Sequence, residues 1–226
     1  MNKITSSNQY FFNFKRDLNA SLDNFYFSKK NKILKNELDL FINDFNAHNL
    51  FISGDKGLGK TFLLNCALNH KKFSEQKCLY IDIENLSNNV QVFNEIDSFS
   101  VICIDNIHCS SKDIELELFN LVNKAFTSKI KLLISSQLHI TQLNLFPDLL
   151  SRIKQMSCFS IEQISDDEVD DVIDFMNLKL KLFFSKELIE DISKIVRRDI
   201  SSIKDLFVEL EQFLYSEKKR PSKRTI

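Results

Sequence analysis

Hydrophobic residues recur along this chain with two periods, which predict two kinds of element. Short apolar runs favour buried strands, and they occur at residues 49–53, 78–83, 101–105, 130–136 and 158–163. Between these runs, and before them at 28–45, apolar residues recur at helical spacing, most clearly at 112–126. Because buried strands that alternate with helices form parallel sheets covered on both faces, we predict an α/β fold.

The strand pattern stops near residue 165, and only helical patterns follow it. They lie at residues 166–184, 186–196 and 201–215, and the first has acidic residues in its opening turn. The predicted organisation is a tail at 1–20, an α/β domain at 21–164, a small helical domain at 165–216 and a basic tail at 217–226.

Composition excludes several classes of protein. The chain has 226 residues with 30 basic and 31 acidic side chains, so its net charge of -1 gives no indication of nucleic-acid binding. Its five cysteines are scattered and odd in number, which argues for reduced thiols rather than a disulfide scaffold or a zinc site. The four histidines also lack metal-ligand spacing. Since no apolar run reaches about 18 residues and no signal-peptide core is found, we expect a cytoplasmic protein.

All the glycine of the chain lies in one loop. Its three glycines belong to the stretch GDKGLGKT, which fits the pattern G-x-x-x-x-G-K-[ST] between a predicted strand and a predicted helix. The backbone N–H groups of such a loop and the N-terminus of its helix bind phosphate oxygens. Lys60 would reach the β- and γ-phosphates of ATP or ADP, and Thr61 would ligate Mg²⁺. The predicted nucleotide-binding residues are Gly54, Asp55, Lys56, Gly57, Leu58, Gly59, Lys60, Thr61 and Phe62.

A phosphate loop of this kind needs a second carboxylate at the end of a neighbouring strand, to order Mg²⁺ and its waters. The stretch VICIDN supplies that carboxylate in Asp105, directly after four apolar residues. The next residue is Asn106, whose side chain can orient a water molecule. Its amide cannot accept a proton at neutral pH. The pair therefore predicts a site that holds a nucleotide more than it cleaves one.

Together these motifs resemble the AAA+ ATPases, in particular their DnaA-related branch and, within it, the Hda-like regulators of bacterial replication initiation. The matching segments are LDNFYF (22–27), the glycine loop GDKGLGKT (54–61), which we call the P-loop, SVICIDNIHC (100–109), KLLISS (131–136), TQLNLFPDLLSRI (141–153) and ISDDE (164–168). The resemblance implies a P-loop AAA+ core with a five-stranded parallel sheet, followed by a small α-helical lid. The chain differs from AAA+ ATPases in general at Asn106, where those proteins usually have an acid that polarises the attacking water. We expect no DnaA-type helix-turn-helix domain.

The resemblance also assigns residues that would contact partners. Arg152 matches the arginine finger, which would reach the γ-phosphate held by a neighbouring subunit; the alternative is a solvated arginine after a short helix. Gln9, Phe12 and Phe14 match the motif that docks in the pocket of the replication sliding clamp. In the alternative interpretation, these phenylalanines pack on the domain itself.

Two sensor positions are less well matched. The candidates for sensor 1, at the end of the fourth strand, are Ser135, Ser136 and Gln137. The lid arginine called sensor 2 falls on Ser201, with Arg197 or Arg198 as replacements about one helical turn away. Loss of that arginine would fit a protein that rests on ADP. A lid shortened at its last helix is also expected.

The function implied is regulation by a nucleotide-bound protein tethered to the sliding clamp on DNA. It would promote the hydrolysis of DnaA-bound ATP and inactivate the initiator, with only weak ATPase activity of its own. Its partners would be DnaA, the clamp and, through the clamp, DNA, while a monomer and a homo-oligomer both stay open. The alternative is a stand-alone AAA+ ATPase of the helicase-loader type. Intact Lys60, Thr61 and Asp105 disfavour a third possibility, an adaptor with an unused P-loop.

Overall fold

The centre of the molecule is a five-stranded sheet in which all neighbouring strands run parallel. The computed structural model describes residues 17–86, 93, 96–182, 184–196 and 200–217. The strands, in the order β2-β3-β4-β1-β5, are β1 (Leu50–Ser53), β2 (Cys78–Asp82), β3 (Val101–Asp105), β4 (Lys131–Ser136) and β5 (Ser157–Ser160). The predicted five-stranded parallel sheet is confirmed.

Helices flank the sheet. They are α1 (Lys32–Asn43), α2 (Lys60–Asn69), α3 (Lys112–Ser128), α4 (Pro147–Ile153), α5 (Val169–Leu180), α6 (Lys186–Ile195) and α7 (Ile200–Glu217). The helical patterns predicted at 28–45 and 112–126 correspond to α1 and α3. Within the described residues, none of the helices is both long and apolar enough to cross a membrane.

Each face of the sheet carries its own hydrophobic core. Phe51 of β1 packs on one side with residues of α3 and α4. Its neighbours Leu50 and Ile52 pack on the other side with residues of α1 and α2, because successive strand residues point to opposite faces. With both faces covered, β1, β3 and β4 are buried along their whole length. This burial explains why the sequence shows them as continuous apolar runs.

The C-terminal helices pack on the same side of the sheet as α1 and α2. Ile173 of α5, Ile192 of α6 and Phe207 of α7 are buried in one cluster with residues of α1. The turn between α5 and α6 is held by Asn177, whose Oδ1 accepts a hydrogen bond from the Phe184 N–H at 2.9 Å. These helices occupy the region predicted as a lid. The domain boundary at residue 165 stays a prediction, since the hydrophobic cluster continues across it.

The register of the strands determines which residues meet at the carboxyl edge of the sheet. Asp82 at the end of β2 pairs with Asp105 at the end of β3, and Ser53 at the end of β1 pairs with Ser136 of β4. The glycine loop leaves β1 directly after Ser53. It therefore lies on the same edge as both carboxylates, the edge at which open parallel sheets bind their ligands.

Candidate functional site

The loop between β1 and α2 explains why the chain has its glycines there. Gly57 and Gly59 adopt left-handed backbone angles, with φ of 87° and 86°, which other residues adopt only at a cost. At Gly59 a Cβ atom would also lie 2.6 Å from a ring carbon of Phe25. Since Phe25 belongs to the segment LDNFYF, the packing of that segment against the loop requires glycine at position 59.

Lys60 begins α2 and turns its side chain back into the loop. Its Nζ donates hydrogen bonds to the carbonyl oxygens of Gly54 at 2.6 Å and Asp55 at 2.7 Å. Burial lowers the pKa of Lys60, and the carboxylates of Asp105 and Asp55 oppose that shift. The loop thus encloses a largely desolvated amino group with good access to an anion bound in the loop.

Asp105 is buried at the end of β3 and connects four of its neighbours. Its Oδ2 accepts hydrogen bonds from the hydroxyls of Thr61 at 2.6 Å and Tyr80 at 2.8 Å. Its Oδ1 accepts from the Ser135 hydroxyl and from the Asn106 N–H. Burial, followed by the Asp105 carboxylate, raises the pKa of Tyr80, so the phenol stays protonated and donates. The structure therefore brings the predicted metal ligands Thr61 and Asp105 together, and it adds Tyr80, which the sequence did not predict.

The three candidates for sensor 1 have different surroundings. Ser135 is buried on the Asp105 carboxylate. The Ser136 hydroxyl accepts a hydrogen bond from the backbone N–H of Leu138 at 2.9 Å. Gln137 is exposed on the wall of a cavity beside the P-loop. Ser135 and Gln137 are thus the candidates that lie at the site, one within it and one at its rim.

Asn106 has a backbone conformation that suits its residue type. Its φ of 58° and ψ of 41° lie in the left-handed region, where asparagine is enriched several-fold over most residues. Its Nδ2 donates a hydrogen bond to Oδ1 of Asp82 at 2.9 Å, and the residue lines the same cavity as Gln137. Asparagine therefore suits the left-handed backbone conformation at this position, and its amide provides a hydrogen-bond donor for the Asp82 carboxylate.

Two cavities adjoin at the P-loop. We call the first the polar cavity; it encloses about 570 Å³, and its walls include Lys60, Thr61, Glu84, Asn106, His108 and Gln137. The second, the apolar cavity, encloses about 400 Å³, and its walls include Phe25, Phe62, Met176 and Leu180. Both volumes lie within the range of small-molecule sites, and the two cavities offer polar surroundings at the loop and apolar surroundings next to it.

Lys204 of α7, which was not predicted from the sequence, lines both cavities. Its Nζ lies 3.9 Å from Oδ2 of Asp17 and 5.2 Å from the centroid of the Phe62 ring. The sensor 2 position was predicted at Ser201, and whether its arginine is lost or replaced by Arg197 or Arg198 was left open. Lys204 is a cation that reaches the cavities from a position three residues after Ser201, about one helical turn along α7.

His108 lines the polar cavity as well, although the sequence analysis gave no role to any histidine. Its Nδ1 accepts a hydrogen bond from the Gln137 N–H at 3.2 Å, which leaves the proton of the neutral ring on Nε2. Burial, followed by the charge of Lys60, lowers the pKa of His108. Near neutral pH the residue therefore contributes an uncharged hydrogen-bond donor. The residue lies three positions after Asp105, and that spacing was the only signal in the sequence.

Arg152 lies in the last turn of α4 and lines neither cavity. Among the residues that the structure describes, none forms a hydrogen bond or an ion pair with its guanidinium group. A guanidinium without a partner among the described residues is suited to contact another chain. The remaining predicted residues lie outside the described part of the chain, and their roles stay predictions; they are Gln9, Phe12, Phe14, Arg197 and Arg198.

Solved structures of DnaA and of a Holliday junction branch migration motor share this fold. The chain is similar to domain III of the Thermotoga maritima replication initiation protein DnaA, with a TM-score of 0.82 at 17% identity over 94% of this chain and 95% of that one. AMPPCP-bound DnaA from Aquifex aeolicus gives 0.76 at 19% identity over 93% and 70%. The Thermotoga maritima RuvB Holliday junction branch migration motor gives 0.67 at 19% identity over 91% and 68%. At these identities the similarity establishes the AAA+ fold.

A family model describes the sequence itself more specifically. The model of the bacterial DnaA ATPase domain matches residues 17–158, more than half of the chain. The matched range begins at Asp17 on the walls of both cavities and includes the P-loop, Asp105, Asn106 and Arg152. The chain therefore belongs to the bacterial DnaA ATPase domain family.

Proposed function

We propose that this protein binds ATP or ADP with Mg²⁺ at its P-loop and regulates the initiation of bacterial DNA replication. Together with the sliding clamp loaded on DNA, it promotes the hydrolysis of DnaA-bound ATP and so inactivates the initiator. The observation that carries the proposal is that the nucleotide cavity and the candidate arginine finger of this chain do not lie together. The chain's own cavity has an intact phosphate loop with an amide at Asn106, whereas Arg152 lines neither of its own cavities.

The residues around the P-loop fit a magnesium nucleotide. Lys60 can exchange the loop's carbonyl oxygens for phosphate oxygens, which are stronger partners because they are charged. The Thr61 hydroxyl and the Asp105 carboxylate, 2.6 Å apart, supply the oxygen ligands that Mg²⁺ prefers. Bound there, Mg²⁺ would neutralise charge on the β- and γ-phosphates. Phe62 and Met176 of the apolar cavity would contact the base, in line with AMPPCP binding by the DnaA of Aquifex aeolicus.

Lys204 provides a prediction about how the lid helix contributes to binding. Replacing Lys204 with alanine should lower the affinity for ATP and ADP by about 10-fold, since one charge-assisted hydrogen bond to phosphate is lost. Isothermal titration calorimetry measures both constants. Lys194→Ala, at an exposed lysine of α6 paired with Asp191, is the matched control and should bind normally. Unchanged affinity in Lys204→Ala would mean that Lys204 serves Asp17 alone.

In the proposed reaction, Arg152 assists the cleavage of the ATP that is bound to DnaA. Its guanidinium reaches across the contact between the two proteins to the γ-phosphate on DnaA, where it stabilises the charge that builds up in the transition state. The protein's own nucleotide would act chiefly on the folded state, which any ligand of the native protein stabilises. In this arrangement the slow site of the regulator and the fast reaction on DnaA belong to different chains.

The clamp tether is tested with the full-length protein, cognate DnaA loaded with labelled ATP, and the clamp loaded on DNA. We expect ATP-to-ADP conversion on DnaA to accelerate only when clamp-loaded DNA is present. Phe12→Ala should abolish the acceleration without changing the protein's own nucleotide affinity, and Phe11→Ala, next to the anchor position, should not. Acceleration without the clamp, or acceleration that survives Phe12→Ala, would rule out the tether.

One observation favours a second function, that of a stand-alone ATPase of the helicase-loader type. Glu84 lies on the wall of the polar cavity, and a carboxylate there can take the proton of an attacking water. A stand-alone ATPase would hydrolyse ATP briskly by itself and would leave DnaA turnover unchanged in the same assay. That pair of results would remove the regulator and establish the ATPase.

A further inference from the structure

The side chain of Asn106 is hydrogen-bonded to the carboxylate of Asp82. Asp82 ends β2 and pairs with Asp105 in the register of the sheet. Oδ1 of Asp82 accepts hydrogen bonds from Nδ2 of Asn106 at 2.9 Å and from the N–H of Glu84 at 3.2 Å. Its Oδ2 accepts from Nδ2 of Asn85 at 2.5 Å. Both oxygens of this carboxylate thus act as acceptors, and Asn106 is one of the donors they need.

An acid at position 106 would meet that carboxylate directly. A carboxylate oxygen would replace the amide nitrogen at about 2.9 Å from Oδ1 of Asp82. The Asp105 carboxylate lies on the same edge of the sheet. Two negatively charged oxygens about 2.9 Å apart repel each other strongly. Asp82 and a charged acid at 106 therefore exclude each other, whereas Asp82 and Asn106 satisfy each other.

We propose that Asp82 is a positioning residue for Asn106 and that this pair makes the site slow to cleave the nucleotide it binds. The carboxylate nearest to the Asn106 amide lies on the neighbouring strand β2, where it accepts a hydrogen bond from that amide. The inference rests on the proposed binding of ATP at the P-loop. It goes further because it identifies a pair of residues that limits hydrolysis there and assigns a role to Asp82, which lies outside the segments that resemble the family.

The chemistry of ATP hydrolysis shows why an amide in place of an acid at position 106 slows the reaction. The oxygen of water forms a bond to the γ-phosphorus, the bond from that phosphorus to the β,γ-bridging oxygen breaks, and its electron pair leaves with ADP. The water also loses a proton, which a carboxylate accepts and passes to solvent, and which the Asn106 amide cannot accept. Exchanging the residues at 82 and 106 would place a proton acceptor at position 106, directly after Asp105, in addition to Glu84 on the cavity wall, without changing the net charge.

The test is ATP hydrolysis by the full chain alone, with saturating Mg²⁺ and ATP and without DnaA or clamp. The exchange variant Asp82→Asn/Asn106→Asp should hydrolyse ATP at least about 10-fold faster than the wild type, a modest share of what a positioned proton acceptor contributes. Asn106→Asp alone should gain far less, because Asp82 still opposes the new charge. Asp82→Asn alone adds no acceptor and should give no gain. The pair is thus expected to be strongly non-additive.

A matched control separates the local pair from the overall charge. Asp174→Asn/Asn106→Asp has the net charge of the exchange variant but keeps the Asp82 carboxylate, because Asp174 is an exposed residue of α5. It should behave like Asn106→Asp alone. The melting temperature and the dissociation constant for ATP are measured for every variant, so that rates are compared among folded proteins at saturating ATP. If the exchange lowers the melting temperature, Asp82→Ser/Asn106→Asp provides the same test with a smaller side chain.

Each outcome decides the proposal. A fast Asn106→Asp single variant, or a folded exchange variant no faster than the wild type, would overturn it. Failure of the wild type to bind ATP would overturn both this inference and the proposed function. The expected pattern of rates, combined with no effect of the protein on DnaA, would support the Asp82–Asn106 pair and remove only the regulator function.

Discussion

Lys60→Ala is expected to lower the affinity for both ATP and ADP by at least about 100-fold, a loss that two charge-assisted hydrogen bonds to phosphate account for. The side chain is buried and begins α2, and its Nζ lies 2.6 Å from the carbonyl oxygen of Gly54 inside the loop. Lys56 and Lys204 also line the polar cavity, but it is the Nζ of Lys60 that is hydrogen-bonded within the loop itself, so neither of them lies where Lys60 does. Isothermal titration calorimetry gives the affinities, and the rise in melting temperature with ADP should disappear in parallel.

The control for this variant is Lys71→Ala, at an exposed lysine just beyond the end of α2. It removes the same charge and should bind both nucleotides normally. A Lys60→Ala protein that binds as well as the wild type would restore the adaptor interpretation, in which the P-loop is unused. A Lys60→Ala protein that loses nucleotide but still acts on DnaA would show that the nucleotide is dispensable for regulation.

The sheet was predictable because its strands are short and buried on both faces. β3 was predicted with the bounds it has, since all its residues are buried and apolar up to Asp105. β5 was predicted at 158–163 but runs from Ser157 to Ser160. Among the described strands it pairs only with β1, and its residues alternate between half-buried and exposed, so its apolar pattern is weak and its end is poorly marked.

The site was predictable only where its residues are close in sequence. The P-loop and Asp105 each lie within a motif whose spacing expresses the chemistry, and the structure brings Thr61 and Asp105 together as the motifs imply. Tyr80, Asp82 and Lys204 carry no such spacing, because they reach the site through the register of β2 and the packing of α7. Contacts of this kind depend on the whole fold. They become visible only when the strands and helices have been placed.

The aromatic segment LDNFYF shows the same limit. The sequence marked it only as part of a resemblance to DnaA-related proteins, without a physical role. In the structure the Phe25 ring lies against the P-loop at Gly59 and stacks with Phe62 at a centroid distance of 6.1 Å. Its apolar side also forms a wall of the apolar cavity. The segment thus supports the phosphate loop and shapes the space beside it, a combination that neither residue type nor spacing reveals.

Arg152→Ala is expected to abolish the acceleration of DnaA's ATP hydrolysis, with a fall of about 10³-fold or more if the full effect of an arginine finger is lost. The physical reason is the loss of positive charge at the γ-phosphate in a site from which water is excluded. Since Arg152 lines neither cavity of its own chain, the variant should bind ATP and ADP like the wild type. Conversion of labelled ATP on DnaA, with the clamp loaded on DNA, measures the effect.

Lys154→Ala is the matched control, because Lys154 is an exposed cation two residues further along, at the C-terminal cap of α4. Its loss lowers the positive charge of the same surface and should leave most of the acceleration intact. If both variants lose the effect equally, the surface acts by general electrostatic attraction, and raising the salt concentration should abolish it in the wild type too. If Arg152→Ala retains the acceleration, the finger lies elsewhere. Selective loss in Arg152→Ala, with normal nucleotide affinity, is the result that only a guanidinium acting on the partner's phosphate explains.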